Sequence, residues 1–75
     1  MTGSLSVLAA AIGAGIAVTG ASLGIGRLAA SAMEGIARQP SSEGPIRTAM
    51  MVSAAFIEGA AMFALVICIT IALKG

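Results

Sequence analysis

The chain has 75 residues, of which 59% are hydrophobic and 9% charged, and its formal net charge is +1. Water-soluble proteins usually carry about a quarter charged residues, and a chain this short has difficulty in burying a sufficient core. Its single cysteine excludes an internal disulfide, and the lack of a basic cluster argues against nucleic acid as a partner. The composition therefore predicts a protein whose natural surroundings are lipid.

Residues 5–26 form an uncharged apolar run of 22 residues. A helix needs roughly 20 residues to cross about 30 Å of hydrocarbon, so this run is long enough to span a bilayer. It lacks the basic start of a cleaved signal peptide and is too long for the apolar part of one. We predict a first membrane helix over about residues 4–38.

The first run is rich in glycine, which costs up to about 1 kcal/mol per residue in a helix interior relative to alanine. On a helical wheel its small residues fall in two stripes. The stripes are Gly13, Ala17, Gly20, Gly24, Ser31 and Gly35, and Ala11, Gly15, Thr19, Ser22, Gly26 and Ala29. Small residues let membrane helices approach closely, so we predict that the glycines at 13, 15, 20, 24 and 26 pack against helices on both sides. Identical copies of the chain that close into a ring would supply these neighbouring helices. The alternative is that the small residues form a single dimerisation face.

The middle of the chain contains most of the charge and both prolines. Residues 38–45, RQPSSEGP, predict a tight turn because proline interrupts helical hydrogen bonding, and we place the loop at about residues 39–44. Three of the four basic residues, Arg27, Arg38 and Arg47, lie in or beside it. The positive-inside tendency then predicts a cytoplasmic loop with both termini outside.

Residues 49–73 form a second run, of 25 residues, in which only Glu58 ionises. We predict a second helix over about residues 45–74, because a backbone in lipid must satisfy its own hydrogen bonds. The fold class is therefore an all-α membrane protein, a hairpin of two transmembrane helices in one domain of residues 1–75. Counted from the turn, Glu58 lies level with about residue 25 of the first helix.

Glu58 is a carboxylic acid in the middle of an apolar span. Ionising it in lipid costs at least about 2.5–3.5 kcal/mol, so Glu58 should hold its proton when it faces lipid. Beside a water-filled path or a positive charge the anion is tolerated and the proton can leave. Movement between two such environments would make Glu58 an ion carrier; the alternative is a protonated glutamate that joins neighbouring helices by a hydrogen bond.

The glycine-rich first helix, the ARQP turn at residues 37–40 and the single acid Glu58 together resemble the rotor-ring proteolipid, or c subunit, of F-type ATP synthases, over essentially the whole chain. The resemblance implies a ring of identical hairpins with first helices inside and second helices outside, in which Glu58 binds the coupling ion. An arginine of the stator a subunit would meet Glu58, and Arg38, Gln39 and Pro40 would contact the gamma and epsilon subunits of the central stalk. It implies a non-catalytic transport subunit in a bacterial inner membrane, surrounded by lipids and without a cofactor, that couples ion flow to ATP synthesis or hydrolysis.

The resemblance also bears on the transported ion. Sodium-binding members of the family carry a glutamine on the first helix level with the acid and a Ser/Thr pair directly after the acid. Here these positions are Ile25, Gly59 and Ala60, and Phe63 stands where a tyrosine can close the site. Because sodium prefers several oxygen ligands, the sequence predicts H⁺ rather than Na⁺.

The supporting residues of the site are predicted from their proximity to Glu58. Gly24 and Gly26 flank Ile25, and the backbone carbonyl of Phe56 would accept the Glu58 proton if the helix loosens at Gly59. Two other classes stay open at this point. One is a sodium-binding or vacuolar/archaeal-type rotor proteolipid, and the other is a small pore-forming membrane hairpin.

Overall fold

The computed structural model describes residues 2–75 and contains two long antiparallel helices. Helix α1 runs Thr2–Arg38, a 3₁₀ turn covers Pro40–Ser42, and helix α2 runs Glu43–Lys74. The molecule is elongated, with principal extents of 58 × 15 × 8 Å. The predicted helical hairpin is confirmed.

Both helices are long and apolar enough to cross a membrane, over Gly3–Arg38 and Pro40–Lys74. At 1.5 Å per residue, the 37 residues of α1 extend about 55 Å, well beyond the roughly 30 Å of a hydrocarbon core. The charged ends of the helices therefore have enough length to reach water while the apolar middle stays in lipid.

The turn between the helices forms because Gln39 precedes a proline, and such a residue is disfavoured in the helical conformation. Gln39 leaves the helix with φ −134° and ψ 76°. Its N–H still donates to the carbonyl of Gly35 at 2.9 Å, and its own carbonyl accepts from the N–H of Ser42 at 2.9 Å. The Ser42 hydroxyl also lies 3.3 Å from Oε1 of Gln39. These bonds close a turn shorter than predicted.

Helix α2 begins at Glu43, two residues earlier than predicted, and contains Pro45 in its first turn. The loop, predicted over about residues 39–44, therefore ends at Ser42, because residues 43 and 44 belong to α2. The reason is that the first four N–H groups of a helix have no partner within it, so a proline there removes no hydrogen bond. Glu43 at this end is favoured by the helix dipole and accepts a 2.6 Å hydrogen bond from Arg47.

Three glycines of α1 lie directly against side chains of α2. A Cβ atom built on each would lie 3.2, 3.6 and 3.2 Å from a side-chain atom of α2, in the pairs Gly13–Cys68, Gly24–Ile57 and Gly35–Ile46. From one pair to the next, the glycine is eleven residues later in α1 and its partner is eleven residues earlier in α2. Eleven residues make about three turns, so the three contacts lie along one line of the helix surface.

The core between the helices is narrow. Its buried residues are Ala10, Ala32 and Ala61, whereas most large apolar side chains are exposed. Leu73 and Ile16, for example, are 82% and 68% exposed. An isolated soluble hairpin would leave this surface in water, so the exposed apolar surface indicates that lipid or further protein covers it.

Candidate functional site

Glu58 lies at the middle of α2 and is exposed on one side of the hairpin. Its side chain borders a groove of about 480 Å³ between the two helices. The groove is lined by Val18, Ala21, Ser22, Ile25, Gly26, Glu58, Ala61 and Leu65. We call it the Glu58 groove.

The Glu58 groove is apolar apart from two side chains. Glu58 supplies a carboxyl group and Ser22 a hydroxyl, and no basic residue is among its lining residues within the described part of the chain. Within the described residues, the groove therefore offers Glu58 no counter-ion, and a positive charge beside it would have to come from another molecule.

The register of the helices places Glu58 level with about residue 23, because Gly24 meets Ile57. The sequence placed Glu58 level with about residue 25, and side-chain contacts of this kind do not distinguish the two levels. Ile25 and Gly26 still line the Glu58 groove, whereas Gly24 lies at the contact between the helices.

Two aromatic residues that the sequence associates with Glu58 lie outside the groove. Phe56 is 76% exposed and Phe63 is 75% exposed. Neither lines the groove, so neither covers the carboxyl group of Glu58 within one hairpin. Helix α2 is continuous from Glu43 to Lys74. The loosening at Gly59 on which a Phe56 carbonyl acceptor depends is therefore not seen.

Ser22 is a groove residue that sequence reasoning missed. A hydroxyl on a helix can donate to a backbone carbonyl of its own helix, as that of Thr70 does to Val66 at 2.8 Å. Within residues 2–75 the Ser22 hydroxyl makes no such bond, and the residue faces the Glu58 groove. The helical wheel placed Ser22 in one stripe with Gly26, which was the available signal, but it did not show that this stripe lies beside Glu58.

A second groove of about 350 Å³ lies on the opposite side of the hairpin at the same height. It shares Ala21 and Ala61 with the Glu58 groove, so these two alanines separate the grooves. Its lining is Ala17, Gly20, Ala21, Ile57, Ala60, Ala61 and Ala64. In a head-to-tail ring, opposite sides of neighbouring copies meet, so small residues would pack beside each Glu58.

The residues predicted to contact the central stalk lie at the turn. Arg38 and Gln39 connect α1 to the 3₁₀ turn that Pro40 begins. The Arg38 side chain is 81% exposed and lies 4.0 Å from the carboxylate of Glu34, as the i, i+4 spacing predicts. The turn ends at Ser42, about 24 Å along the helix axis from Glu58, so the structure separates these two sets of predicted residues.

A membrane hairpin with one acid at the middle of its second span has the architecture of a ring-forming proteolipid, and comparison with known proteins identifies which kind. The family model for the C subunit of ATP synthase matches residues 8–71. The ATP synthase c subunit of Bacteroides thetaiotaomicron is 57% identical over 67 residues, covering 89% of this chain and 79% of the relative. The chain belongs to the c-subunit family of ATP synthases.

More distant relatives support the same assignment. The ATP synthase c subunit of Phocaeicola vulgatus is 52% identical over 65 residues, covering 87% of this chain and 77% of the relative. That of Synechococcus elongatus is 44% identical over 71 residues, covering 95% of this chain and 88% of the relative. The resemblance predicted from the sequence is confirmed, and the alternative of an unrelated pore-forming hairpin is set aside.

Proposed function

We propose that Glu58 carries protons as a ring of these hairpins turns in the membrane. As a member of the c-subunit family, the chain is a rotor proteolipid of an F-type ATP synthase and acts in ion transport and ATP synthesis. The observation that carries the proposal is the position of Glu58. It is the one acid that borders a groove at mid-span, and that groove supplies it with no cation in the described residues.

The proton cycle follows from the cost of charge in lipid. A protonated Glu58 passes through the apolar environment as a neutral group, which avoids at least about 2.5–3.5 kcal/mol. Near a fixed positive charge the carboxylate becomes stable and releases its proton. The arginine of the stator a subunit is the proposed source of that charge. A potential of 100 mV supplies about 2.3 kcal/mol for each charge that crosses the membrane.

Protons fit the groove better than sodium ions do. Sodium prefers several oxygen ligands, and the lining side chains offer only the carboxyl group of Glu58 and the hydroxyl of Ser22. Ile25, which occupies the part of α1 beside the acid, offers none. A proton needs one oxygen of the acid and one acceptor, and we propose that Ser22 is positioned to be that acceptor, directly or through water.

The remaining roles concern the assembly. We propose that the turn residues Arg38, Gln39 and Pro40 contact the gamma and epsilon subunits on the cytoplasmic side, with both termini on the opposite side. Apart from the exchange of a proton at Glu58, this chain would carry out no chemistry. ATP would be formed by other subunits, to which the ring transmits rotation.

The experiment that tests the proton-carrying role is carbodiimide labelling of the purified ring, mapped by mass spectrometry over a range of pH with and without sodium. The reagent reacts with protonated carboxyl groups in apolar surroundings. Glu34 and Glu43 serve as internal controls, because both lie in exposed ion pairs with arginines. We expect labelling at Glu58 alone, unchanged by sodium, and no labelling in the Glu58→Gln ring.

Two results would contradict the proposal in different ways. Protection of Glu58 by sodium would show that backbone or water oxygens complete a sodium site, and the proton assignment would be wrong. Labelling of the two control carboxylates while Glu58 stays unreactive would show that Glu58 is sequestered in a permanent structural contact. In that case the ion-carrying role itself would fall.

A further inference from the structure

The face of α2 that points away from α1 has a gap in its row of large side chains. Gly59 lies two residues from Ile57, which packs against α1, and two residues from the buried Ala61. At about 100° per residue it points about 160° away from each of them, so it faces away from α1. Val52 and Val66, seven residues before and after Gly59, share this face and are exposed. The row of side chains is therefore interrupted at Gly59.

Gly59 forms the floor of a hollow on this face. A Cβ atom built on Gly59 would meet open space within the described chain. The residues one turn before and one turn after Gly59 form the rim, and they are Ala55, Phe56, Met62 and Phe63. Three of the four are large and more than half exposed. We call this place the Gly59 hollow.

The Gly59 hollow lies beside Glu58. Glu58 is about 100° round the helix from Gly59, between the Glu58 groove and the hollow. Side chains of a helix lean towards its N-terminus, so the Glu58 carboxyl group reaches over Ala55, whose methyl group is too short to separate it from the hollow. By the same rule the ring of Phe63 leans back over Gly59 from the opposite side. A group in the hollow would therefore have a carboxyl group on one side and an aromatic ring on the other.

The character of the occupant follows from what surrounds Gly59. Glycine lowers helix stability relative to alanine, and packing within the described hairpin does not require it here. Gly59 lines neither of the grooves along which copies would meet, so a neighbouring copy does not account for it. Fluid acyl chains adapt to any side chain, whereas the close approach of another membrane helix requires a small residue. The adjacent Glu58 and the Phe63 ring both attract positive charge.

We propose that the Gly59 hollow receives the cation that the stator brings to Glu58, with Gly59 admitting the stator helix and the ring of Phe63 holding the guanidinium group of its arginine. This inference rests on the proposed proton cycle and adds Gly59 and Phe63 to it as positioning residues. An aromatic face attracts a guanidinium group within about 6 Å of its centre, and the planar group can stack on it. From there it pairs with the carboxylate of Glu58 past Ala55. The proton that Glu58 releases passes to water, and the arginine keeps its own protons throughout.

The test uses the complete ATP synthase reconstituted into vesicles, with proton transport driven by ATP hydrolysis. Gly59→Val gives position 59 the residue that stands at positions 52 and 66. We expect it to lower proton transport about tenfold or more, because the added side chain fills the hollow. The mass of the purified ring and the carbodiimide labelling of Glu58 in it should not change. Val66→Leu is the matched control, since it enlarges the same face two turns away, and it should transport protons as the wild type does.

The role of the ring of Phe63 is tested by its chemistry. Phe63→Leu should lower proton transport at least threefold, and Phe63→Tyr, which keeps an aromatic face, should preserve it. Fluorinated phenylalanines then change the charge of the ring with little change of its shape. Transport should fall stepwise as the number of fluorine atoms rises. The Phe63→Leu enzyme, prepared with the same fluorinated amino acids, corrects for fluorination elsewhere in the complex.

Three results would overturn the proposal. Wild-type transport by Gly59→Val would show that the stator helix does not enter the hollow. Failure of the Gly59→Val ring to assemble would place Gly59 between copies rather than on the outward face. Transport by Phe63→Leu equal to the wild type, or unaffected by fluorination, would remove the contact between the ring and the cation. Failure of the proton-carrying role looks different, because the Glu58→Gln enzyme would then still transport protons.

Discussion

The clearest quantitative test of the hairpin compares alanine at two glycines that face α2. Gly13 and Gly24 lie on the same line of α1, eleven residues apart, so both substitutions gain the same helix propensity, up to about 1 kcal/mol. They differ in what the new methyl group meets. At Gly24 it lies 3.6 Å from Cδ1 of Ile57, an ordinary contact, whereas at Gly13 it lies 3.2 Å from Sγ of Cys68.

The expected effects have opposite signs. Gly24→Ala should stabilise the hairpin by about 0.5–1 kcal/mol, because the propensity gain is not opposed by a clash. Gly13→Ala adds overpacking, which costs about 1–3 kcal/mol and outweighs the gain, since Cys68 has one side-chain torsion with which to move away. Cys68→Ala removes the sulfur atom and should restore stability to the Gly13→Ala variant, giving a favourable coupling of about 1 kcal/mol.

The assay is unfolding of the purified protein by sodium dodecyl sulfate in mixed micelles, followed by circular dichroism, with oligomer mass checked for each variant. The four variants of the Gly13–Cys68 cycle are compared with Gly24→Ala. If Gly13→Ala proves as stable as Gly24→Ala, and Cys68→Ala gives no rescue, then the helices are not in contact at this point. The register derived from the glycine pairs would then be wrong.

Three further outcomes are expected. Gly20→Leu should prevent ring assembly although its own hairpin leaves open space there, and a full-sized ring by native mass spectrometry would contradict this. Ile25→Gln adds an oxygen to the Glu58 groove, so sodium should begin to protect Glu58 from carbodiimide; continued indifference to sodium would count against the groove as the ion site. Glu43→Gln breaks the exposed ion pair with Arg47. It should lower the free energy of unfolding by less than about 1 kcal/mol at low salt and by nothing measurable at high salt. A larger loss would show that the turn depends on this ion pair.

The two spans and the position of Glu58 within the second could be predicted because bilayer thickness limits helix length so strongly. The alternation of an apolar run, a polar turn with Pro40 and a second apolar run leaves few other folds for a chain in lipid. The first residue of α2 could not be predicted in the same way. Pro45 is compatible both with a loop and with the first turn of a helix, and the sequence around it favours neither.

The side of the hairpin on which each small residue of α1 lies could not be predicted from the sequence alone either. The wheel grouped Gly20 with Gly13 and Gly24, but only the latter two face α2, because Gly20 lies at the edge of its stripe. The helical wheel gives the residues of α1 that share a face, but it does not say which face lies beside Glu58 of α2. Groove membership therefore required the structure.

The equal spacing of the three glycine contacts limits how the length of this chain can change. An insertion of one residue between Gly13 and Gly24 would rotate the remainder of α1 by about 100°, so at most one end of the hairpin could keep its contacts. Growth that keeps these contacts on one face needs a nearly whole number of turns in both helices, such as about seven or eleven residues, which lengthens the hairpin by about 10 or 16 Å. A change of one residue is therefore accommodated far more easily at the termini or the turn than between the glycine contacts, and this keeps Glu58 at a fixed height relative to them.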